Sequence, residues 1–161
     1  MRDTIIDTAI ESLRTEGLKF SVDTIASKLK ISKKTIYKYF PDKECFAYAI
    51  YEKYYSRVSE NVDKTEKSGD NTAFRLLLMY RDACFMMRGE VFNKYKLNDC
   101  VYLYVTKLQN ELWSKIYSFI APSAAHTDES VLRTIIEGAF EASGKYSVPS
   151  ELIVEKLVKL I

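Results

Sequence analysis

Lys28, Lys30, Lys33, Lys34, Lys38 and Lys43 crowd into residues 28–43, interleaved with Ser32, Thr35, Tyr37 and Tyr39. Side chains of these types can do one kind of chemistry together. Ammonium groups neutralise phosphates and release their counterions. Serine and tyrosine hydroxyls donate to phosphate oxygens and fix register. Threonine can offer its methyl group to thymine or its hydroxyl to a base edge. The charge is local: residues 28–43 hold six lysines and one acid, a net of +5, whereas residues 44–161 hold 15 basic and 16 acidic side chains, a net of −1. The whole chain carries only +2, so placement rather than total charge is the signal. A solvated lysine face is the bland alternative, and the elements that carry these residues must decide between the two.

Other chemistries find little support. Cys45, Cys84 and Cys100 are odd in number and form no CxxC or Cys/His cluster, a pattern of free thiols in a reducing compartment. The single histidine, His126, lies in a polar stretch after Pro122. There is no Ser/His/acid set, no phosphate-cradling glycine loop and no metal-ligand spacing, so no catalytic residue, metal or cofactor is expected and the chain is not read as an enzyme. No apolar run approaches the ~18–20 residues of a membrane span. The N-terminal MRDTIIDTAIESL has acids inside its apolar pattern, unlike a signal peptide, so a cytoplasmic protein without membrane association is expected.

The fold class expected is all-α. Apolar residues make up 47% of the 161, while Gly and Pro number 5 and 3. Ile5, Ile6, Ala9, Ile10 and Leu13 repeat with helical spacing over residues 2–15, and Gly17 can close that helix. Ser21 suits an N-cap for a short second helix with Val22, Ile25, Ala26 and Leu29 inward. After a break at 30–32, Ser32 caps a third helix that ends before Pro41, and Asp42 begins a fourth over 43–59. Residues 61–72 read as a polar loop. Residues 73–88 are apolar almost all round, as in a central bundle helix. Helices at 98–120, at 128–143 with Thr127 as cap and Gly144 beyond its end, and a last one with Pro149 in its first turn complete the plan.

On a helical wheel, Ile36 and Phe40 of the third helix fall on one side, with Lys34 and Lys38 opposite and Thr35 and Tyr37 flanking. Two helices joined by a turn of this length read as a helix-turn-helix. Its second helix would lie in a major groove with its N-terminal residues toward base edges.

The elements just quoted resemble a family. Ile6, Ala9 and Leu13, Gly17, Ser21-Val22, Ile25-Ala26, Ile31-Ser32 and the run Thr35-Ile36-Tyr37-Lys38-Tyr39-Phe40-Pro41-Asp42-Lys43-Glu44 with Phe46 are similar, over residues 5–46, to the N-terminal domain of TetR/AcrR transcriptional regulators. The resemblance implies a DNA-binding domain at 1–46, with its helix-turn-helix at 21–40, and a ligand-binding and dimerisation domain at 47–161. It places base reading at Ser32, Lys33, Lys34 and Thr35, and phosphate contacts at Tyr37, Tyr39, Lys43 and Ser21, beside the Lys38 of the wheel. It also implies a homodimer on a near-palindromic double-stranded operator, released by an unknown small-molecule effector. Two departures stand out. Lys30 occupies a turn position where the family usually has Gly and φ is often positive, so either Lys30 bears a mild strain or the turn differs, and Lys34 stands where a small residue is common. The chain is short for the family and has almost no N-terminal arm.

Beyond residue 50 only physical pattern speaks. Phe74, Met79, Tyr80, Phe85, Tyr102 and Trp113 are aromatic and adaptable side chains that can line a ligand pocket. Leu132, Ile136, Ala139 and Phe140 make one apolar stripe, and Ile153 and Leu157 belong to a second. Two such helices from each subunit would form a four-helix seam. The competing function is a helical dimeric interaction module whose basic face docks an acidic protein.

Overall fold

The computed structural model describes residues 1–16, 21–65, 69, 71–87, 98–124, 127–159 and 161. Gly17 and His126 lie outside the described residues. The fold is all-α, with eight helices and no strand among the described residues. They are α1 (Arg2–Glu16), α2 (Val22–Lys28), α3 (Lys33–Tyr39), α4 (Lys43–Lys64), α5 (Thr72–Met86), α6 (Asp99–Ile120), α7 (Glu129–Lys145) and α8 (Ser150–Val158). The chain divides into two compact units: residues 1–57 with 86–108, and residues 58–85 with 109–161. Among the described residues no helix is long and apolar enough to cross a membrane.

The first unit is built on the N-terminal helices. Ile5, Ile6 and Ala9 of α1 bury beside Ile25 and Ala26 of α2 and Ile36 of α3. The ammonium of Lys28 donates to the buried Ser12 hydroxyl at 2.9 Å, joining α2 to α1. Between α1 and α4 lies an ionic clamp. Asp7 Oδ1 sits 3.0 Å from Lys53 Nζ and 2.8 Å from Arg57 Nη2, and Lys53 also reaches Asp3 at 3.0 Å. The buried Tyr51 hydroxyl donates to the Met86 carbonyl at 3.0 Å, and the Tyr48 and Tyr104 rings meet edge to face at 5.1 Å.

The clamp has a pH signature. Partial burial works against the charged form of Asp7, but the hydrogen bonds and charges of Lys53 and Arg57 outweigh it and hold the carboxyl below its ordinary value. A carboxyl depressed in the folded state stabilises above the unfolded value, near pH 4, and that stability is lost as pH falls through the folded value. Asp7→Asn is therefore expected to lower the melting temperature at pH 7 and to flatten the acid side of the stability curve. Parallel acid limbs for the two proteins would refute the clamp.

The second unit contains the end of α4. Residues 61–64 are helical, and the loop expected from 61 begins only after them, because Val62 is fully buried and anchors another turn. Lys115 bonds Ser59 Oγ at 2.6 Å and Asp63 Oδ2 at 2.7 Å across to α6. Leu76, Leu77, Tyr80 and Ala83 of α5 are fully buried. Around Tyr80 a polar network joins three helices. Its hydroxyl donates to Glu137 Oε1, which also receives Arg133 Nε at 2.8 Å and Gln109 Nε2 at 3.5 Å. Gln109 donates to Cys84 Sγ at 3.3 Å as well. Burial, then the Glu137 charge, pushes the Cys84 thiol up to about 12. Burial also raises the Tyr80 phenol far above its ordinary value, so it remains a donor.

The helix ends show further differences from expectation. Asp128, not Thr127, caps α7, accepting from the Ser130 and Val131 amides at 2.9 and 3.3 Å. The helix then runs through Gly144 to Lys145. Asn98 caps α6 by accepting from Val101 N–H at 3.0 Å. Pro149 stands before α8 and not in its first turn, with no side-chain cap.

Candidate nucleic-acid interface

The turn between α2 and α3 follows from its hydrogen bonds. Ser21 Oγ accepts from Thr24 N–H at 3.1 Å and starts α2. At the other end Lys30 N–H bonds the Ser27 carbonyl at 3.1 Å and Ile31 N–H the Ala26 carbonyl at 3.0 Å. This is a Schellman closure, which needs a left-handed residue after the helix. Lys30 supplies it at φ 53, so the turn keeps the left-handed geometry that the family resemblance implies and Lys30 bears the strain. A side chain there costs about 1–2 kcal/mol that glycine avoids. Lys30→Gly is thus expected to stabilise the chain by about 1 kcal/mol after glycine's own entropy cost. A higher denaturant midpoint at unchanged slope would show it, and an unchanged or lower midpoint would contradict it.

Ser32 follows at once. Its Oγ accepts from Thr35 N–H at 3.1 Å and lies 3.0 Å from the Thr35 hydroxyl, so α3 starts where the turn stops. Ile36 is fully buried and Phe40 nearly so. The Arg2 guanidinium lies over the Phe40 ring at 5.3 Å, and Phe46 packs against it at 4.7 Å. These contacts fix the rotation of α3, and the opposite face is left to solvent. Ser32, Lys33, Lys34, Lys38 and Lys43 are exposed, while Thr35 and Ser21 are half-buried. Tyr37 and Tyr39 are 43% and 42% exposed, high for phenol rings. Asp42 closes the region by accepting from Cys45 N–H at 2.6 Å, which holds its carboxyl below its ordinary value. Its hydrogen bond in turn pushes the Cys45 thiol up.

The nine residues expected to meet DNA therefore fall in one head, seven of them exposed. Two commitments were not visible in the sequence. Lys33 Nζ lies 2.6 Å from Asp23 Oδ1, and Lys43 Nζ lies 3.9 Å from Glu44 Oε1. Neither pair has a helical i, i+4 spacing that a pattern search would notice.

The candidate pocket residues are shared between the two units. Tyr80 and Trp113 are buried with ring centroids 5.0 Å apart, and Phe85 lies under the Arg81 guanidinium at 4.4 Å. Phe74 and Met79 are half-buried in the same unit. Tyr102 is 47% exposed and belongs to the first unit. The expected dimer stripe also divides. Leu132, Ile136, Phe140 and Leu157 are buried within the chain itself, and Ala139 and Ile153 are half-buried. The large apolar side chains that α7 and α8 leave exposed are Val131, Ile135 and Leu152.

A capped helix-turn-helix thus heads an otherwise helical chain. Residues 5–50 match the family model for bacterial regulatory proteins of the tetR family, and the N-terminal head is a tetR-family helix-turn-helix domain. No curated protein matches the sequence. Similar solved structures span almost the whole chain. The superantigen pfit structure has a TM-score of 0.59 at 18% identity, covering 99% of this chain and 88% of that one. A TetR/AcrR-family transcriptional regulator from Thermobifida fusca YX-ER1 has a TM-score of 0.57 at 21% identity, with 99% and 94% covered. The multidrug binding protein EbrR, complexed with imidazole, has a TM-score of 0.52 at 19% identity, also with 99% and 94% covered. At such identities these likenesses concern the fold.

Proposed function

We propose that this protein is a sequence-specific DNA-binding transcriptional regulator, acting in the cytoplasm as a homodimeric repressor that a small molecule releases from a near-palindromic operator. One observation carries the reading: the buried Ile36 and Phe40 hold α3 so that Lys34, Tyr37 and Lys38 are presented together on its open side. Residues 1–46 would read DNA, and residues 47–161 would bind the effector and the second subunit. The multidrug binding of EbrR, a protein of similar fold, supports a small-molecule effector. For the second subunit, Val131, Ile135 and Leu152 offer an uncovered apolar surface. Gly138 is exposed on the same helix, where an added β carbon would meet nothing within 4 Å, so a neighbouring helix could approach closely.

Selection from a randomised duplex pool at two salt concentrations, with Tyr37→Ala as control, tests this reading. An enriched inverted repeat that the variant no longer binds is the expected result. Binding without enrichment would favour a basic face that docks an acidic protein.

A further inference from the structure

Lys33 and Lys34 are adjacent in sequence but differ in surroundings. At ~100° per residue, Lys34 and Lys38 stand roughly 160° from Ile36 on the far side of α3, whereas Lys33 stands only about 60° from it. Lys33 is thus on a flank of the helix, and Asp23, in the first turn of α2, meets it there at 2.6 Å. The other acid between residues 21 and 43, Asp42, is occupied with the Cys45 amide. Asp23 is therefore the carboxylate placed to compete with DNA for a lysine of the reading helix.

We propose that Lys33 is a positioning residue and not a phosphate contact: Asp23 holds it against α2, and each head engages DNA with one cation fewer than its lysines suggest. This rests on the DNA-binding reading above. Both side chains are largely exposed, at 52% and 66%, and such a pair contributes little to stability. Its effect lies in where the charge goes. An ammonium facing a carboxylate releases no counterion from DNA, so it adds nothing to the salt dependence of binding. Because the pair touches no base edge, it acts on affinity for every sequence alike.

The test measures binding of the full chain to a selected operator and to a random-sequence duplex across a salt series. Wild type is compared with Asp23→Asn, Lys33→Met and the double variant. Asp23→Asn frees an ammonium, so the slope of log K against log salt is expected to steepen by about 0.9 per head, and affinity at 0.1 M to rise roughly 8-fold per head on both duplexes. Lys33→Met, which leaves a bare carboxylate, is expected to bind more weakly. The double variant, which loses cation and anion together, is expected to return to the wild-type slope. An Asp23→Asn slope equal to wild type would overturn the proposal. So would a double variant shallower than wild type by about 0.9 per head, because Lys33 would then be contacting phosphate in the complex. A wild-type protein that binds neither duplex at low salt would instead overturn the DNA-binding reading, and this inference with it. Melting curves of all four proteins check the fold, and they are expected to coincide within a few degrees because surface pairs contribute so little.

Discussion

Replacing Lys34 and Lys38 together by alanine is expected to abolish operator binding at physiological salt while leaving the fold intact. Both lysines are exposed on the side of α3 opposite Ile36, and among the described residues neither has an ion pair of the kind that holds Lys33. Removing two phosphate-neutralising charges flattens the salt slope by about 1.8 per head, which is roughly a 60-fold loss per head at 0.1 M. In the homodimer proposed above, the losses of the two heads would multiply. Exposed substitutions of this kind usually change stability by less than about 0.5 kcal/mol. Circular dichroism and melting should therefore match wild type, while a mobility shift or fluorescence titration shows the loss. A change of less than about threefold in affinity would mean that α3 is not the element that meets DNA.

The second large effect concerns stability. Trp113→Ala is expected to cost about 3–5 kcal/mol, the range for truncating a buried large aromatic. The ring is 1% exposed and packs against Tyr80 at 5.0 Å and Tyr117 at 5.9 Å, with the Arg133 guanidinium over it at 5.7 Å. Its indole N–H donates to Glu129 Oε1 at 2.9 Å, so the carboxylate loses a donor as well. Tyr80→Phe, which removes only the hydroxyl, is expected to cost about 1–3 kcal/mol because Glu137 loses one of its donors in a partly buried network. Arg133 and Gln109 still reach that carboxylate, which places the cost toward the lower end. Denaturant titration followed by circular dichroism measures both. For Tyr80→Phe the fluorescence of Trp113, the sole tryptophan, reports directly on the second unit. A loss below about 1 kcal/mol for Trp113→Ala would contradict its place in the core.

What the sequence revealed, and what it hid, divides by distance along the chain. The caps at Ser21, Ser32 and Asp42 were legible because a cap and its amide lie three residues apart. The left-handed Lys30 was legible only through the family resemblance, which marks that turn position as one where glycine is usual. The extension of α4 was not, since Val62 is a lone apolar residue in a polar stretch and only its burial explains the added turn. On α7 the repeat of Leu132, Ile136 and Phe140 identified an apolar face correctly. Periodicity cannot say whether such a face meets its own chain or another, and here it meets its own. The Tyr80–Glu137 bond spans 57 residues and the Asp23–Lys33 pair joins two separate helices, so neither leaves a pattern in sequence.

The three cysteines offer a practical handle. Thiol-directed reagents attack the thiolate, not the protonated thiol. The hydrogen bond to Asp42 pushes the Cys45 thiol up, and burial pushes Cys84 up to about 12. Cys100 is exposed near the start of α6. A maleimide fluorophore should therefore label the natural chain predominantly at Cys100. Because that residue lies in the same compact unit as the reading head, the anisotropy of the dye can follow association with DNA without any engineered cysteine.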